Sequence, residues 1–263
     1  MISFYINLDT AQKRRDFMER QFSEMGIATH RISAVTIEEL SKKPNGIEFG
    51  NRMGRPWLDG EKATFLSHRE CWKRIVEGNH DFGAIFEDDV HFSADAADFI
   101  SEDTWIPPYI DVVKLETYLT KTTLSKRRIP AHSRFLHRLE DKHLGGAGYV
   151  LSRNAAVKLL SASTKVEMPV DHLIFDPDFN SDLSVWQLCD AICIQDDRMF
   201  QGNSEFKSQV TDSSNISARK RRGKMSNGAK ILRELRRVSR QAERLAKNPA
   251  RPFTTRRTVV EYS

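Results

Sequence analysis

The 263-residue sequence predicts an α/β fold, a parallel sheet with helices on its faces, on two observations. The first is the opening. An apolar strand over residues 2–8 leads to a helix whose apolar positions Phe17, Met18, Phe22 and Met25 recur at helical spacing, and a second strand follows over residues 29–35. A β-α-β unit of this kind favours a parallel sheet. The second is Phe82-Gly83-Ala84-Ile85-Phe86-Glu87-Asp88-Asp89-Val90, where a short apolar run enters three consecutive carboxylates. Such a run reads as a strand buried on both faces, so the acids belong just past its carboxyl end. That rim is where open α/β sheets bind ligands.

The remaining elements follow in order. Asp9 or Thr10 is placed to cap the first helix, and Gly26 to close it. The opening lacks the Gly-x-Gly-x-x-Gly turn of a dinucleotide fold. Residues 41–56, rich in Gly, Pro, Asn and Lys, read as a loop near the rim. Residues 61–77 form a helix with Phe65, Leu66, Trp72, Ile75 and Val76 on an apolar face and Ser67-His68 within it. A polar helix near residues 94–100, a turn at 105–109 and a strand over 110–116 come next, and residues 121–138 read as an irregular basic stretch. Gly145, Gly146 and Gly148 allow either a close approach of backbone to ligand or a plain turn or bulge. Ser152 caps a helix running to Leu160, Pro169-Val170-Asp171-His172 opens a short element, and residues 185–194 form a last apolar segment.

Packed carboxylates raise one another's pKa unless a cation neutralises them. A hard divalent ion with oxygen ligands, Mn²⁺ or Mg²⁺, therefore suits the acidic rim. Side chains alternate along extended backbone, so Glu87 and Asp89 face one way and Asp88 the other. A solvated acidic turn is the plainer alternative. Arg14 and Arg15 are a solvated helix face or a phosphate contact. His68 alone reads as a hydrogen-bonded structural residue sooner than as a catalyst. Asp171 stands beside an imidazole at the start of a short element, which it is placed to cap.

Charge divides the chain. Of its 41 Lys/Arg, 15 lie in residues 214–263 with only 3 of its 36 Asp/Glu, so an acidic body carries a basic tail. We divide the chain at residues 1–210 and 211–263. In the tail, Ile231, Leu235, Val238, Ala242 and Leu245 follow a 4-3-4-3 spacing with arginines opposite, the pattern of a basic amphipathic helix. Such a helix suits an anionic membrane surface, a partner or nucleic acid. No run approaches the ~20 apolar residues of a membrane span. The first six residues read as a strand and not as a signal peptide, and Cys71, Cys189 and Cys193 show no metal-like pairing. A cytoplasmic chain with reduced thiols is expected.

The ordered set of motifs resembles glycosyltransferase family 25, the lipooligosaccharide galactosyltransferase family. It comprises Phe4-Tyr5-Ile6-Asn7-Leu8-Asp9 with Arg14-Arg15, Arg31-Ile32-Ser33-Ala34-Val35, Gly60-Glu61 through Ser67-His68 and Trp72, and Ile85-Phe86-Glu87-Asp88-Asp89-Val90. Val113-Lys114-Leu115-Glu116, Ala147-Gly148-Tyr149-Val150-Leu151-Ser152, Pro169-Val170-Asp171-His172 and Gln195 continue it, over about residues 2–205. The resemblance implies a GT-A-like, Rossmann-like nucleotide-sugar-binding fold and transfer of a sugar, commonly galactose from UDP-galactose, to a saccharide acceptor with inversion. It makes Glu87 and Asp89 the metal-holding carboxylates of a variant Asp-x-Asp element, with Mn²⁺ (or Mg²⁺) against the donor diphosphate. Asn7, Leu8, Asp9, Arg14, Ser67, His68 and Asp88 fall to the nucleotide-sugar side, and Asp171 to the general base. Lys62-Ala63-Thr64-Phe65 and Gly145-Gly146 depart from the family pattern. The tail would suit an enzyme peripheral on the inner face of the cytoplasmic membrane, acting on a lipid-linked acceptor. A nucleic-acid-binding protein working through the tail would leave the acidic rim idle, and the acidic body would repel phosphates. A metal-dependent phosphoryl hydrolase would normally need further acids or histidines for a second metal.

Overall fold

The computed structural model describes residues 1–42, 47–50, 55–180, 182–200, 203–206, 246 and 249–263. Its elements run β1 (Ile2–Asn7), α1 (Gln12–Glu24), β2 (His30–Ser33), α2 (Ile37–Lys42), β3 (Glu48–Phe49), α3 (Asp59–Glu77), β4 (Phe82–Glu87) and β5 (Val90–Phe92). Then come α4 (Ala96–Ile100), β6 (Val112–Lys114), β7 (Glu116–Thr117), β8 (Lys121–Ala131), β9 (Arg134–Leu139), β10 (Gly148–Ser152) and α5 (Arg153–Ala162). The rest are β11 (Lys165–Val166), α6 (Val170–Phe175), β12 (Val185–Cys189), β13 (Cys193–Gln195), α7 (Asp196–Met199), α8 (Arg251–Thr254) and β14 (Thr255–Val259).

A nine-stranded sheet of order β14-β8-β9-β12-β6-β10-β4-β1-β2 forms the centre. The β-α-β opening is parallel as expected: β1 pairs parallel with both β2 and β4. The sheet as a whole is mixed and mostly antiparallel, which corrects the parallel expectation. β10 runs antiparallel between β4 and β6, and β9, β8 and β14 continue antiparallel to the edge. Helices cover both faces, as expected of an α/β fold. One core joins α3 and α5 to the sheet through Trp72, Ile75, Ala155 and Leu159; the other joins α1 and α4 through Met18, Phe22, Phe99 and Ile100. A small three-stranded sheet, β5-β13-β7, stands at the end of β4.

Local chemistry explains the boundaries. Gly26 closes α1 with φ +68°, in the left-handed region that favours glycine. The capping residue of α1 is Ala11, with no side-chain cap, because Asp9 is drawn to Arg31 at 2.7 Å. Ser152 caps α5 as expected, its hydroxyl accepting from Ala155 N at 3.1 Å. Residues 121–138 are no irregular stretch: they build the β8–β9 hairpin, whose register shifts between Leu124 and Arg128. That irregularity breaks the alternation by which a strand is read. β14 belongs to the span assigned to the tail, yet it is the edge strand of the main sheet. The tail positions Ile231 to Leu245 lie outside the described residues.

Gly148 is a packing requirement. A Cβ on it would stand 2.3 Å from Cys193 Sγ. Gly148→Ala is expected to destabilise by about 1–3 kcal/mol through overpacking, and Gly148→Ala/Cys193→Ala to recover most of that. Urea denaturation of the three proteins checks it.

Candidate active site

β1 and β4 are parallel neighbours, with Ile6 opposite Glu87, so their carboxyl ends share one rim. β4 ends at Glu87, Asp88 and Asp89 make the turn, and β5 starts at Val90. Asp88 turns toward α1. It accepts from Asn7 Nδ2 at 2.7 Å and from Arg14 Nη1 at 2.6 Å, all three being buried. Glu87 turns the other way, and Asp89 stands between, its Oδ2 3.5 Å from Arg14 Nη1. Glu87 Oε2 and Asp89 Oδ1 accept from the single Gln195 Nε2 at 3.2 and 3.4 Å. Burial, then the charges of Asp88 and Asp171, raise the Glu87 pKa to about 7. Burial, then Glu87, raises Asp89 to about 7. Glu87 keeps 27 % of its side chain exposed, so part of its field is screened by water.

The other predicted positions are spread around this pair. Leu8 lies at the rim, its carbonyl accepting from Ala11 N at 2.9 Å. Asp9 is exposed and ion-paired with Arg31, which also reaches Asn7 O at 3.3 Å. Ser67 is buried: its hydroxyl donates to Ala63 O at 2.8 Å and accepts from Val35 N at 2.9 Å. His68 is fully buried, with Nδ1 3.0 Å from Tyr149 Oη and Nε2 3.4 Å from Glu87 Oε1. Burial lowers its pKa to about 4, so it is neutral. Asp171, in the first turn of α6, accepts from Gly145 N at 3.3 Å and His172 N at 2.8 Å. Its charge raises the pKa values of both Glu87 and His68, which puts all three in one electrostatic neighbourhood.

Beneath them lies a polar pair for which the sequence reading assigned no role. Lys114 and Glu116 are both fully buried, 2.7 Å apart. Lys114 Nζ also donates to Gly145 O at 2.5 Å and stands 4.2 Å from the Phe175 ring centroid. Glu116 Oε1 accepts from Ala147 N at 2.8 Å, while Oε2 has no hydrogen-bond partner among the described residues. Gly145, at φ +104°, lets the loop pass over this pair. A Lys and a Glu two apart in an apolar strand was the available clue, since that spacing places both on one face. Tyr149 and Gln195 carried no such clue.

Three buried histidines, His68, His137 and His143, have pKa values lowered by burial and set a pH dependence. His143 donates from Nδ1 to Gln187 Oε1 at 2.8 Å, and burial lowers its pKa to about 3. Below about pH 6.5 the unfolded chain takes up a proton that the folded chain refuses, so stability is full above that pH and falls with acidification. Glu87 and Asp89 act oppositely, because the folded chain holds their protons between about pH 4 and 7. Comparing wild type with His143→Gln isolates the histidine. The stability advantage of wild type is expected to shrink by about 2 kcal/mol between pH 7 and 5 in urea titrations.

Among the described residues no helix is long and apolar enough to cross a membrane, and no three His, Cys, Asp or Glu side chains are grouped as a metal cage. The model of glycosyltransferase family 25 (LPS biosynthesis protein) matches residues 1–174. The lipooligosaccharide biosynthesis protein lic2B of Haemophilus influenzae is 28 % identical over 221 residues, covering 80 % of this chain and 81 % of its own. The lacto-N-neotetraose biosynthesis glycosyltransferase LgtB of Neisseria meningitidis serogroup A is 29 % identical over 262 residues, covering 93 % and 94 %. LgtB of Neisseria gonorrhoeae is 31 % identical over 208 residues, covering 74 % and 75 %. The match spans the rim carboxylates, the glycine loop and Asp171 together: the chain belongs to glycosyltransferase family 25.

Proposed function

We propose that this glycosyltransferase transfers a hexose, galactose from UDP-galactose, with inversion to a saccharide acceptor of lipopolysaccharide or lipooligosaccharide, within a GT-A-like architecture. One observation carries the reading: Glu87 and Asp89 converge on a single Gln195 amide at the sheet's rim, within the field of Asp171. Two carboxylates with raised pKa values, one still open to water, fit a hard divalent cation that leaves other positions for phosphate oxygens. Mn²⁺ or Mg²⁺ held by Glu87 and Asp89 would stabilise the charge gained by the leaving diphosphate.

The chain's own residues supply the rest. Asn7 and Arg14 fix Asp88, and so set the turn that aims Glu87 and Asp89. Asp171 accepts the proton of the acceptor hydroxyl as its oxygen bonds to the anomeric carbon. The bond from that carbon to the diphosphate breaks, and its electron pair leaves with UDP. Attack on the face opposite the leaving group gives inversion. Calorimetric titration of UDP-galactose, UDP-glucose and UDP, with Mn²⁺ and with EDTA, tests the donor. Metal-dependent binding that prefers UDP-galactose is expected, and failure of every uridine nucleotide to bind refutes the reading.

A lipid-linked acceptor on the inner face of the cytoplasmic membrane completes the proposal. Lys121, Lys126, Arg127 and Arg128 of β8, Arg138 of β9 and Arg256 and Arg257 of β14 are exposed, and none forms an ion pair with a described residue. These three adjacent strands contain no acid. With the basic tail, that edge suits an anionic lipid surface. Binding to phosphatidylglycerol vesicles but not to phosphatidylcholine vesicles is expected. Lys126→Glu/Arg127→Glu/Arg128→Glu should weaken it at least tenfold, at about 1 kcal/mol per basic residue. Equal binding to both vesicles would remove the membrane from the proposal.

A further inference from the structure

Trp72, Tyr149 and His68 are each fully buried, and each ring is locked by neighbours. Trp72 meets Phe65 edge-on at 5.7 Å, Tyr149 meets Phe175 edge-on at 5.7 Å, and the Tyr149 and His68 rings stack at 5.7 Å with 19° between their planes. Trp72 Nε1 is 2.9 Å from Tyr149 Oη, which is 3.0 Å from His68 Nδ1; His68 Nε2 is 3.4 Å from Glu87 Oε1.

The chemistry of these groups gives the chain of contacts a direction. An indole N–H only donates. Tyr149 Oη therefore accepts from Trp72, and its own proton goes to the remaining partner, His68 Nδ1. A neutral imidazole that accepts at Nδ1 carries its proton on Nε2. That proton points at Glu87. The opposite tautomer pays twice: the Tyr149 hydroxyl proton would have no acceptor among the described residues, and the His68 Nε2 lone pair would face a carboxylate oxygen.

We propose that Trp72, Tyr149 and His68 are a one-way hydrogen-bond relay, polarised by the indole, that makes His68 the positioning residue of Glu87. His68 donates to Oε1 while Gln195 donates to Oε2, so the carboxylate is gripped at both oxygens and its plane is fixed toward Asp89. The functional half rests on the reading of Glu87 as a cation ligand; the direction of the relay does not. Partners that orient a ligand in this way carry about 10–100-fold in metal affinity.

Long-range ¹H–¹⁵N correlation spectra of the wild-type protein at pH 8, where Glu87 is a carboxylate, decide the relay. The His68 ring is expected to show a protonated Nε2 and a bare Nδ1. A proton on Nδ1, alone or together with Nε2, overturns it. Mn²⁺ binding, followed by the electron paramagnetic resonance of free Mn²⁺, decides the positioning role. Tyr149→Phe keeps the ring and is expected to weaken Mn²⁺ about 10–100-fold while the protein still folds, its thermal transition lowered because Trp72 Nε1 and His68 Nδ1 lose their shared partner. Trp72→Phe, which removes the polarising donor together with part of a buried ring, should weaken it less and leave His68 in mixed tautomers. Unchanged Mn²⁺ affinity in Tyr149→Phe overturns the positioning role with the relay intact. A wild-type protein that binds no Mn²⁺ overturns the cation reading and the positioning role with it, and the spectra then still decide the relay.

Discussion

Asp89→Asn is expected to remove metal-dependent binding of UDP-galactose and to lower kcat by about 10²–10³-fold, the scale of losing one group that stabilises developing charge. The same substitution is expected to raise the melting temperature. In the folded protein Asp89 is buried beside Glu87, and both carboxylates are pushed up to about 7, so at pH 8 their mutual repulsion works against the fold. Asparagine relieves that repulsion, and the main arginine contact survives because Arg14 is held by Asp88 at 2.6 Å and reaches Asp89 only at 3.5 Å. Activity and stability should thus move in opposite directions, as expected where a site is built at the expense of the fold. Calorimetry with Mn²⁺ and with EDTA, beside a thermal melt, reads both. Full donor binding by the variant would show that Asp89 has no part in holding the donor.

The second large effect lies under the glycine loop. Lys114→Met leaves Glu116 buried without its ammonium partner and is expected to destabilise the protein by about 3–5 kcal/mol. Lys114→Met/Glu116→Gln should recover most of this, because the charge is gone while the acceptor for Ala147 N remains. Chemical denaturation of wild type, single and double variants reads the difference. Activity of the double variant should stay low even as stability returns. Lys114 also ties down Gly145 O, and Gly145 N is bonded to Asp171, so without the lysine the proposed base loses its tethered neighbour. A double variant as active as wild type would separate the loop's anchorage from catalysis.

Much of this was legible in the chain. The strand-helix-strand opening, the α3 and α5 helices with the Ser152 cap, and the three acids at the end of β4 follow from periodicity, capping chemistry and the cost of burying charge. Periodicity says nothing about direction, and β10, a stretch whose glycines suggested only a close approach, a turn or a bulge, runs against its neighbours in the sheet. The β8–β9 hairpin was hidden because Lys126, Arg127 and Arg128 are consecutive exposed cations across an irregular register. Asp9 was read as a cap because local contacts are visible in sequence and the pull of Arg31, 22 residues away, is not. For the same reason Tyr149 and Trp72, 77 residues apart, could not be joined to His68 and Glu87. Contacts distant in the chain are supplied by topology alone.

β14 lies at the outer edge of the nine-stranded sheet, and the residues after it are tied to three other segments of the chain. Val260 O accepts from Thr117 Oγ1 at 2.6 Å, Tyr262 bridges to Ala191, and Arg134 donates to Ser263 O at 2.7 Å. Synthesis proceeds from the amino terminus, so this strand emerges after every partner it touches. Until then β8 presents an open edge, the kind of surface that recruits a strand from another chain. Between those two moments β8 has been made and its outer neighbour has not. The consecutive cations of β8, which help to repel a second copy of the same edge, guard the chain through that interval.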